Sequence, residues 1–217
     1  MKELKKTVIF DFDGTLADTL EVMLAIFNRI APEYKCKQVE FSEKEKYLGL
    51  SIPELLKEVN VSMLLLPRLA LRMKNELTKE LHKVSAFPGI EESLHNLKEI
   101  GYSLGVMSSN SVKNINAFLK RNSLFELFDF IHSGKNIFGK DKVISRILSK
   151  YKIPKDSVVY VGDEHRDIEA VKKINIPIIS VTWGLNSKEL LEKHKPNLII
   201  SQVSELCKSV KEIIPIY

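Results

Sequence analysis

The stretch Thr7-Val8-Ile9-Phe10-Asp11-Phe12-Asp13-Gly14-Thr15 decides how this chain is read. Thr7 to Phe10 lack the polar alternation of a half-exposed strand, so they predict a strand buried on both faces. Asp11 and Asp13 stand where that strand ends, and Gly14 lets the chain turn. Two carboxylates at i and i+2, on a strand edge opening into a loop, suit a divalent cation and an oxygen nucleophile. Another apolar run, residues 157–161, is followed by Asp163 and Asp167. Both pairs on one sheet edge would make a metal-dependent phosphoryl-transfer site.

Outward from the first strand, residues 18–83 carry apolar positions at helical spacing. Leu20, Leu24 and Phe27 form one stripe, and Leu64, Leu65, Leu69 and Met73 another. Pro53 and Pro67 mark helix starts or turns. From Phe87-Pro88-Gly89 onward, predicted helices alternate with apolar strands. The helices cover residues 90–99, 114–120, 142–150, 169–173 and 204–213; the strands cover 103–107, 130–132, 157–161, 178–181 and 198–200. That alternation predicts an α/β fold, a Rossmann-like parallel sheet flanked by helices. The helical stretch interrupts it just after the first strand. The expected division is therefore a catalytic core of residues 1–15 and 84–217 and an all-helical cap of residues 16–83. An insert leaving the carboxyl end of a strand lies over the edge where such sheets bind ligands.

Hydrophobic residues make up 44% and charged residues 28% of the 217 positions, the balance of a soluble globular protein. The net charge of +5 is spread along the chain, with no basic stripe interleaved with aromatics, so nucleic acid is not an expected partner. No apolar stretch has membrane-spanning length, and no signal-type h-region appears near the start. Cys36 and Cys207 lack metal-type spacing and read as free thiols in a reducing compartment, hence a cytoplasmic protein.

Polar residues collect at the predicted strand ends. Ser108, Ser109 and Asn110 follow one strand, Lys140 precedes a helix, and Gly162-Asp163 with Asp167 follow another strand. Each cluster is weak alone; four in this order gain weight together. Residues 134–141 come close to the phosphate loop of nucleotide-triphosphate enzymes, but Asp141 replaces the hydroxyl that must follow the lysine. Lys140 is therefore assigned to the phosphoryl site, with Lys142 as the weaker candidate.

These motifs resemble those of haloacid dehalogenase-superfamily phosphatases with a helical cap, and the phosphoglycolate-phosphatase-like members most closely. Phe10-Asp11-Phe12-Asp13-Gly14-Thr15-Leu16 matches the family's first motif, Ser108 its second, Lys140 its third, and Gly162-Asp163 with Asp167 its fourth. Phe87-Pro88-Gly89 and Thr182-Trp183-Gly184 add to the likeness. The resemblance implies Asp11 as nucleophile, Asp13 as general acid and then base, and Lys140 as the catalytic cation. It implies phosphate binding by Gly14, Thr15, Ser108, Ser109, Asn110 and Lys140. It also implies Mg²⁺ held by Asp11, Asp13 through its backbone carbonyl, and Asp163, with Asp167 acting through water or by holding Lys140. Thr15 orients Asp13 or the loop in this reading, and His165 and Arg166 have no assigned role.

The implied activity is Mg²⁺-dependent hydrolysis of a small, phosphoglycolate-like phosphomonoester, with a small-molecule phosphate as partner and a monomer or homodimer as assembly. A sugar phosphomutase of the same superfamily and a non-catalytic phosphate-binding protein are the alternatives. Substrate choice is expected from the cap, with contacts from Asp18, Thr19, Glu21, Lys44 or Lys46 and a cleft-entering loop at residues 43–49.

Overall fold

The computed structural model describes residues 6–134 and 139–216. The central part of the phosphate-loop-like run, residues 135–138, lies outside the described residues. The elements in chain order are β1 (Thr7–Phe10), β2 (Ala17–Asp18), α1 (Leu20–Ile30), α2 (Lys44–Leu48), α3 (Ile52–Glu58) and α4 (Leu66–Glu80). After them come β3 (Ser85–Ala86), α5 (Ile90–Ile100), β4 (Ser103–Ser108), α6 (Val112–Arg121), β5 (Phe130–Ser133) and α7 (Lys140–Tyr151). The chain finishes with β6 (Val158–Gly162), α8 (His165–Ile174), β7 (Ile178–Val181), α9 (Lys188–Lys193), β8 (Leu198–Ile200) and α10 (Leu206–Ile213).

Six strands form one sheet in the order β5-β4-β1-β6-β7-β8. All pairings in it are parallel, as the unbroken apolar runs require. Alternate residues of each strand feed two cores. Val8, Phe10, Val106 and Val161 pack with Leu94 and Leu97 of α5, Phe118 of α6 and Val210 of α10. On the other face Ile9, Met107 and Tyr160 meet Ile144 and Ile147 of α7 and Ile168 and Val171 of α8. Each such buried aliphatic or aromatic side chain contributes about 1.5–3 kcal/mol. Because β1 is central and parallel to both neighbours, the residues after β1, β4 and β6 emerge at one edge.

The cap has its own core, in which Ile30, Val39, Tyr47, Leu56, Val59 and Leu69 are buried together. Its base rests on the sheet domain: Ile26 of α1 and Leu77 of α4 belong to the core on the first face. The two chain crossings are zipped together by the antiparallel pair β2–β3, Ala17 opposite Ala86 and Asp18 opposite Ser85. Arg121 on α6 clamps the returning crossing by donating to Leu81 O at 2.7 Å and also to Val84 O.

Pro53 and Pro67 lie in the first turns of α3 and α4, where a missing N–H costs no helical bond. Two local features differ from the sequence reading. Leu64 belongs to no helical stripe: it is 91% exposed in the turn before α4, because Pro67 sets that helix's start. The short helix α9 was not anticipated, although Ser187 caps it by accepting from Leu190 N. Six residues are too few to show a helical period. Among the described residues no helix is long and apolar enough to cross a membrane.

Candidate active site

The carboxyl ends of β1 and β6 bring Asp11, Asp163 and Asp167 together, with one carboxylate oxygen from each lying within 4.8 Å of the others. All three are buried. Asp11 continues the β1 ladder, its N–H donating to Val161 O at 2.8 Å, and its Oδ1 accepts from Phe12 N at 2.8 Å. Asp167 lies in the first turn of α8, where its Oδ2 accepts from Glu164 N at 3.2 Å as half of a capping box.

Lys140, the first residue of α7, reaches into this cluster. Its ammonium donates to Asp11 Oδ2 and to Asp167 Oδ1, each at 2.5 Å. Lys142 is exposed, so the helix start distinguishes the two lysines. Gly139 precedes Lys140 at φ +93°, a conformation that favours glycine.

Too many carboxylates surround one lysine, and the proton affinities follow. Burial pushes Asp11 up, against the pull of Lys140. Burial likewise raises Asp163 well above the carboxylate range, reinforced by repulsion from Glu164, Asp11 and Asp167. Asp167 is raised to about 7 by burial, with Lys140 opposing. Burial works against the charge of Lys140, but Asp11 and Asp167 outweigh it and push its pKa well up, so the ammonium stays protonated. Buried all-oxygen donors with surplus negative charge are the chemistry that a hard divalent cation satisfies.

Asp13 is set apart. Its carboxylate accepts from Asn110 Nδ2, at 3.3 Å to each oxygen. Burial raises its pKa to about 6, opposed by the Asn110 hydrogen bond and by Lys140. Thr15 does not turn toward Asp13: its hydroxyl donates to Asp163 Oδ1 at 2.6 Å. Gly14, at φ +77°, packs so closely on Asp163 that a Cβ would overlap that carboxylate.

The loop after β4 supplies the third wall. The Asn110 N–H donates to Ser108 Oγ at 3.0 Å, which directs the serine's own proton elsewhere. Ser109 turns its carbonyl to the cap, where Lys74 Nζ donates to it at 2.9 Å.

A strap from β7 binds several of these parts in succession. Trp183 Nε1 donates to Thr15 O at 3.2 Å, and Leu185 N donates to Asp163 Oδ2 at 2.8 Å. Asn186 Oδ1 accepts from both His165 N and His165 Nδ1 at 2.8 Å, and Ser187 N donates to Leu48 O of the cap at 2.9 Å. His165 is thereby occupied in holding the strap, with its ring 5.0 Å from that of His194.

Sequence reasoning missed Glu164, Lys74, Thr78 and Asn114. Burial works against the charge of Glu164, but Arg166 and Lys140 hold its pKa below the usual value. Arg166 Nε donates to Glu164 Oε2 at 2.6 Å. Glu164 sits inside the fourth motif, and that position was its only signal. Residues 43–49 are not a loop: Glu43 closes the 3₁₀ turn Phe41–Glu43, and Lys44–Leu48 form α2. Lys44 lies over Phe41, and Lys46 pairs with Glu58 at 2.9 Å. Asp18 and Glu21 are exposed, and Thr19 is buried.

A parallel α/β sheet with a buried aspartate cluster and a lysine at its carboxyl edge, under a helical cap, defines a phosphatase working by aspartate chemistry. The chain belongs to the haloacid dehalogenase-like hydrolase family, whose pattern it matches over residues 8–181. It is 32% identical over 209 residues to a phosphoglycolate phosphatase of Synechococcus elongatus, covering 96% of this chain and 99% of that protein. It is 24% identical over 212 residues to the pyrophosphatase PpaX of Bacillus mycoides, covering 95% and 97%. A crystal structure of a predicted phosphatase from Clostridium acetobutylicum superposes with a TM-score of 0.81 at 26% identity, covering 96% and 99%.

Proposed function

We propose that this enzyme hydrolyses a small organic phosphomonoester of the phosphoglycolate kind, with Mg²⁺ and through an aspartyl-phosphate on Asp11. The observation that carries the reading is the placement of Asp11 against Lys140 inside the Asp11–Asp163–Asp167 cluster. A carboxylate held beside a fixed ammonium is oriented to attack a phosphorus whose oxygens are being neutralised.

In this reading an Asp11 oxygen forms a bond to phosphorus while the bond to the leaving oxygen breaks. Asp13, protonated in the free enzyme up to about pH 6, gives its proton to that oxygen. The ionised Asp13 next takes a proton from water as the water oxygen attacks phosphorus, and the Asp11–phosphorus bond breaks. Lys140, Ser108 and the amide of Ser109 receive the phosphoryl oxygens. The amides of Gly14, Thr15 and Asn110 are spent on Ala17 O, Phe12 O and Ser108 Oγ and shape the loops around them. Asp11, Asp163 and Asp167, with the Asp13 backbone carbonyl, would hold Mg²⁺, which when bound supplies charge neutralisation to the phosphoryl group.

The cap is taken as residues 16–83 and the core as 1–15 and 84–217, a division supported by the β2–β3 pair at the crossings. Lys74 is the cap cation that meets the phosphoryl loop, and it favours a second negative charge on the leaving group. The free thiols Cys36 and Cys207 fit a cytoplasmic enzyme, acting as a monomer or homodimer.

The test is phosphate release from 2-phosphoglycolate, glycerol phosphates, hexose phosphates and inorganic pyrophosphate, with Mg²⁺ and with EDTA. Turnover should favour a small phosphomonoester, vanish with EDTA and vanish in Asp11→Asn. Undiminished activity after complete metal removal would overturn the Mg²⁺ reading. Best turnover of pyrophosphate, or isomerisation of a hexose phosphate, would overturn the substrate.

A further inference from the structure

Two side chains one turn apart on α4 reach the sheet domain, one at the loop after β4 and one at the first turn of α6. Lys74 donates to Ser109 O at 2.9 Å, and Thr78 Oγ1 accepts from Asn114 Nδ2 at 2.8 Å. From Asn114 an unbroken series of hydrogen bonds runs into the site. Asn114 Nδ2 also donates to Asn110 Oδ1 at 2.9 Å, and Asn110 Nδ2 donates to the Asp13 carboxylate at 3.3 Å.

The direction of every bond is determined. Thr78 Oγ1 spends its own proton on Lys74 O at 2.9 Å, so toward Asn114 it can only accept. Both Asn114 amide protons are then committed, one to Thr78 and one to Asn110. Asn110 Oδ1 also accepts from Ser111 N at 2.8 Å, which leaves the Asn110 amide nitrogen facing Asp13. Asn110 and Asn114 are buried, so a hydrogen-bond partner lost by either amide is not readily replaced by water.

We propose that Asn114 and Thr78 are positioning residues: through Asn110, the seated cap orients the Asp13 carboxyl for proton transfer to the leaving group. The proposal rests on the assignment of Asp13 as proton donor made above. Acid–base catalysis is then engaged when α4 rests on the loop after β4, and disengaged when the cap lifts.

A residue that only supports the fold slows all substrates alike. A residue that positions the proton donor matters most when the leaving group needs a proton. The experiment uses the full chain, Thr78→Val, Thr78→Ser, Asn114→Ala and, as reference, Asp13→Asn. Turnover is measured on a series of aryl phosphates running from 4-nitrophenyl to phenyl phosphate. Asn114→Ala and Thr78→Val should slow phenyl phosphate about tenfold more than 4-nitrophenyl phosphate, a part of the 10²–10⁴ that positioned proton transfer supplies. Thr78→Ser should restore the original slope.

Thr78 is exposed, so its valine variant carries the test even if Asn114→Ala fails to fold. A steep series in Asp13→Asn beside unchanged or parallel series in Asn114→Ala and Thr78→Val overturns the positioning role alone. An unchanged slope in Asp13→Asn overturns the assignment of Asp13, and the proposal with it.

Discussion

The Lys140 ammonium donates to Asp11 Oδ2 at 2.5 Å, across 129 positions of sequence. The same ammonium donates to Asp167 at 2.5 Å, so one buried cation holds the ends of β1 and α8 together. That charge is the partner of two buried carboxylates, so the fold draws on it in addition to the chemistry proposed for it.

Lys140→Met should therefore destabilise as well as inactivate. Removing one partner of a buried ion pair costs about 3–5 kcal/mol, since the other charge is left uncompensated. Urea unfolding in EDTA should show that loss. Mg²⁺ should restore part of it, because a cation among the same carboxylates offsets the missing ammonium. A variant as stable as the parent in EDTA would mean that Lys140 carries no structural share.

Proton binding gives a second test. The ordinary carboxylate value is 3.8, whereas Asp13 is raised to about 6 and Asp167 to about 7 by burial. At these two groups the folded metal-free protein binds more protons than the unfolded chain from about pH 4 to about pH 7. Their contribution to stability should fall as pH rises through that window, while His132 and His194, lowered by burial, act in the opposite sense. A divalent cation bound among Asp11, Asp163 and Asp167 displaces the Asp167 proton, so the rise in melting temperature on adding Mg²⁺ should grow toward about pH 7. A cation-dependent shift that stays flat from pH 4 to pH 7 would contradict the carboxylate site.

Gly184→Ala probes the strap. A Cβ at Gly184 would overlap both Asp163 and the carbonyl oxygen of Gly14. Overpacking of this kind costs about 1–3 kcal/mol, and here the displaced groups belong to the site. Mg²⁺ affinity and turnover should fall together, while Trp183 keeps its contact with Phe87. Unchanged affinity for Mg²⁺ would show that Asp163 has another way to settle.

Lys74→Ala tests the cap's part in selectivity. The Lys74 ammonium reaches the Ser109 carbonyl, and its charge also lowers the proton affinity of Asp13. The variant should raise KM for 2-phosphoglycolate about tenfold or more, the scale of one charge-assisted hydrogen bond. KM for a phosphomonoester with an uncharged leaving group should stay within about twofold. Equal changes on both substrates would place Lys74 in cap seating alone.

Much of the fold was legible because parallel strands buried on two faces leave a plain mark. Thr7 to Phe10, residues 178–181 and residues 198–200 read directly as strands, and each is observed as one. Long helices such as α5 and α7 also read well, to within a few residues at their ends. The short helices α2 and α9 did not, because fewer than two turns show no period.

The sequence by itself determined which residue types stand at the strand ends, and hence the acids and the lysine available for phosphoryl chemistry. The tertiary structure alone decided their pairing. Thr15 turned to Asp163 rather than Asp13, Asn110 took Asp13, and Glu164 entered the charge cluster with Arg166. It alone brought Lys74 of the cap onto the loop after β4 and Thr78 onto Asn114 of α6. The physical reason is range. Burial periodicity is written in neighbouring residues, whereas the partner of a buried polar group is chosen by packing between elements distant in the chain.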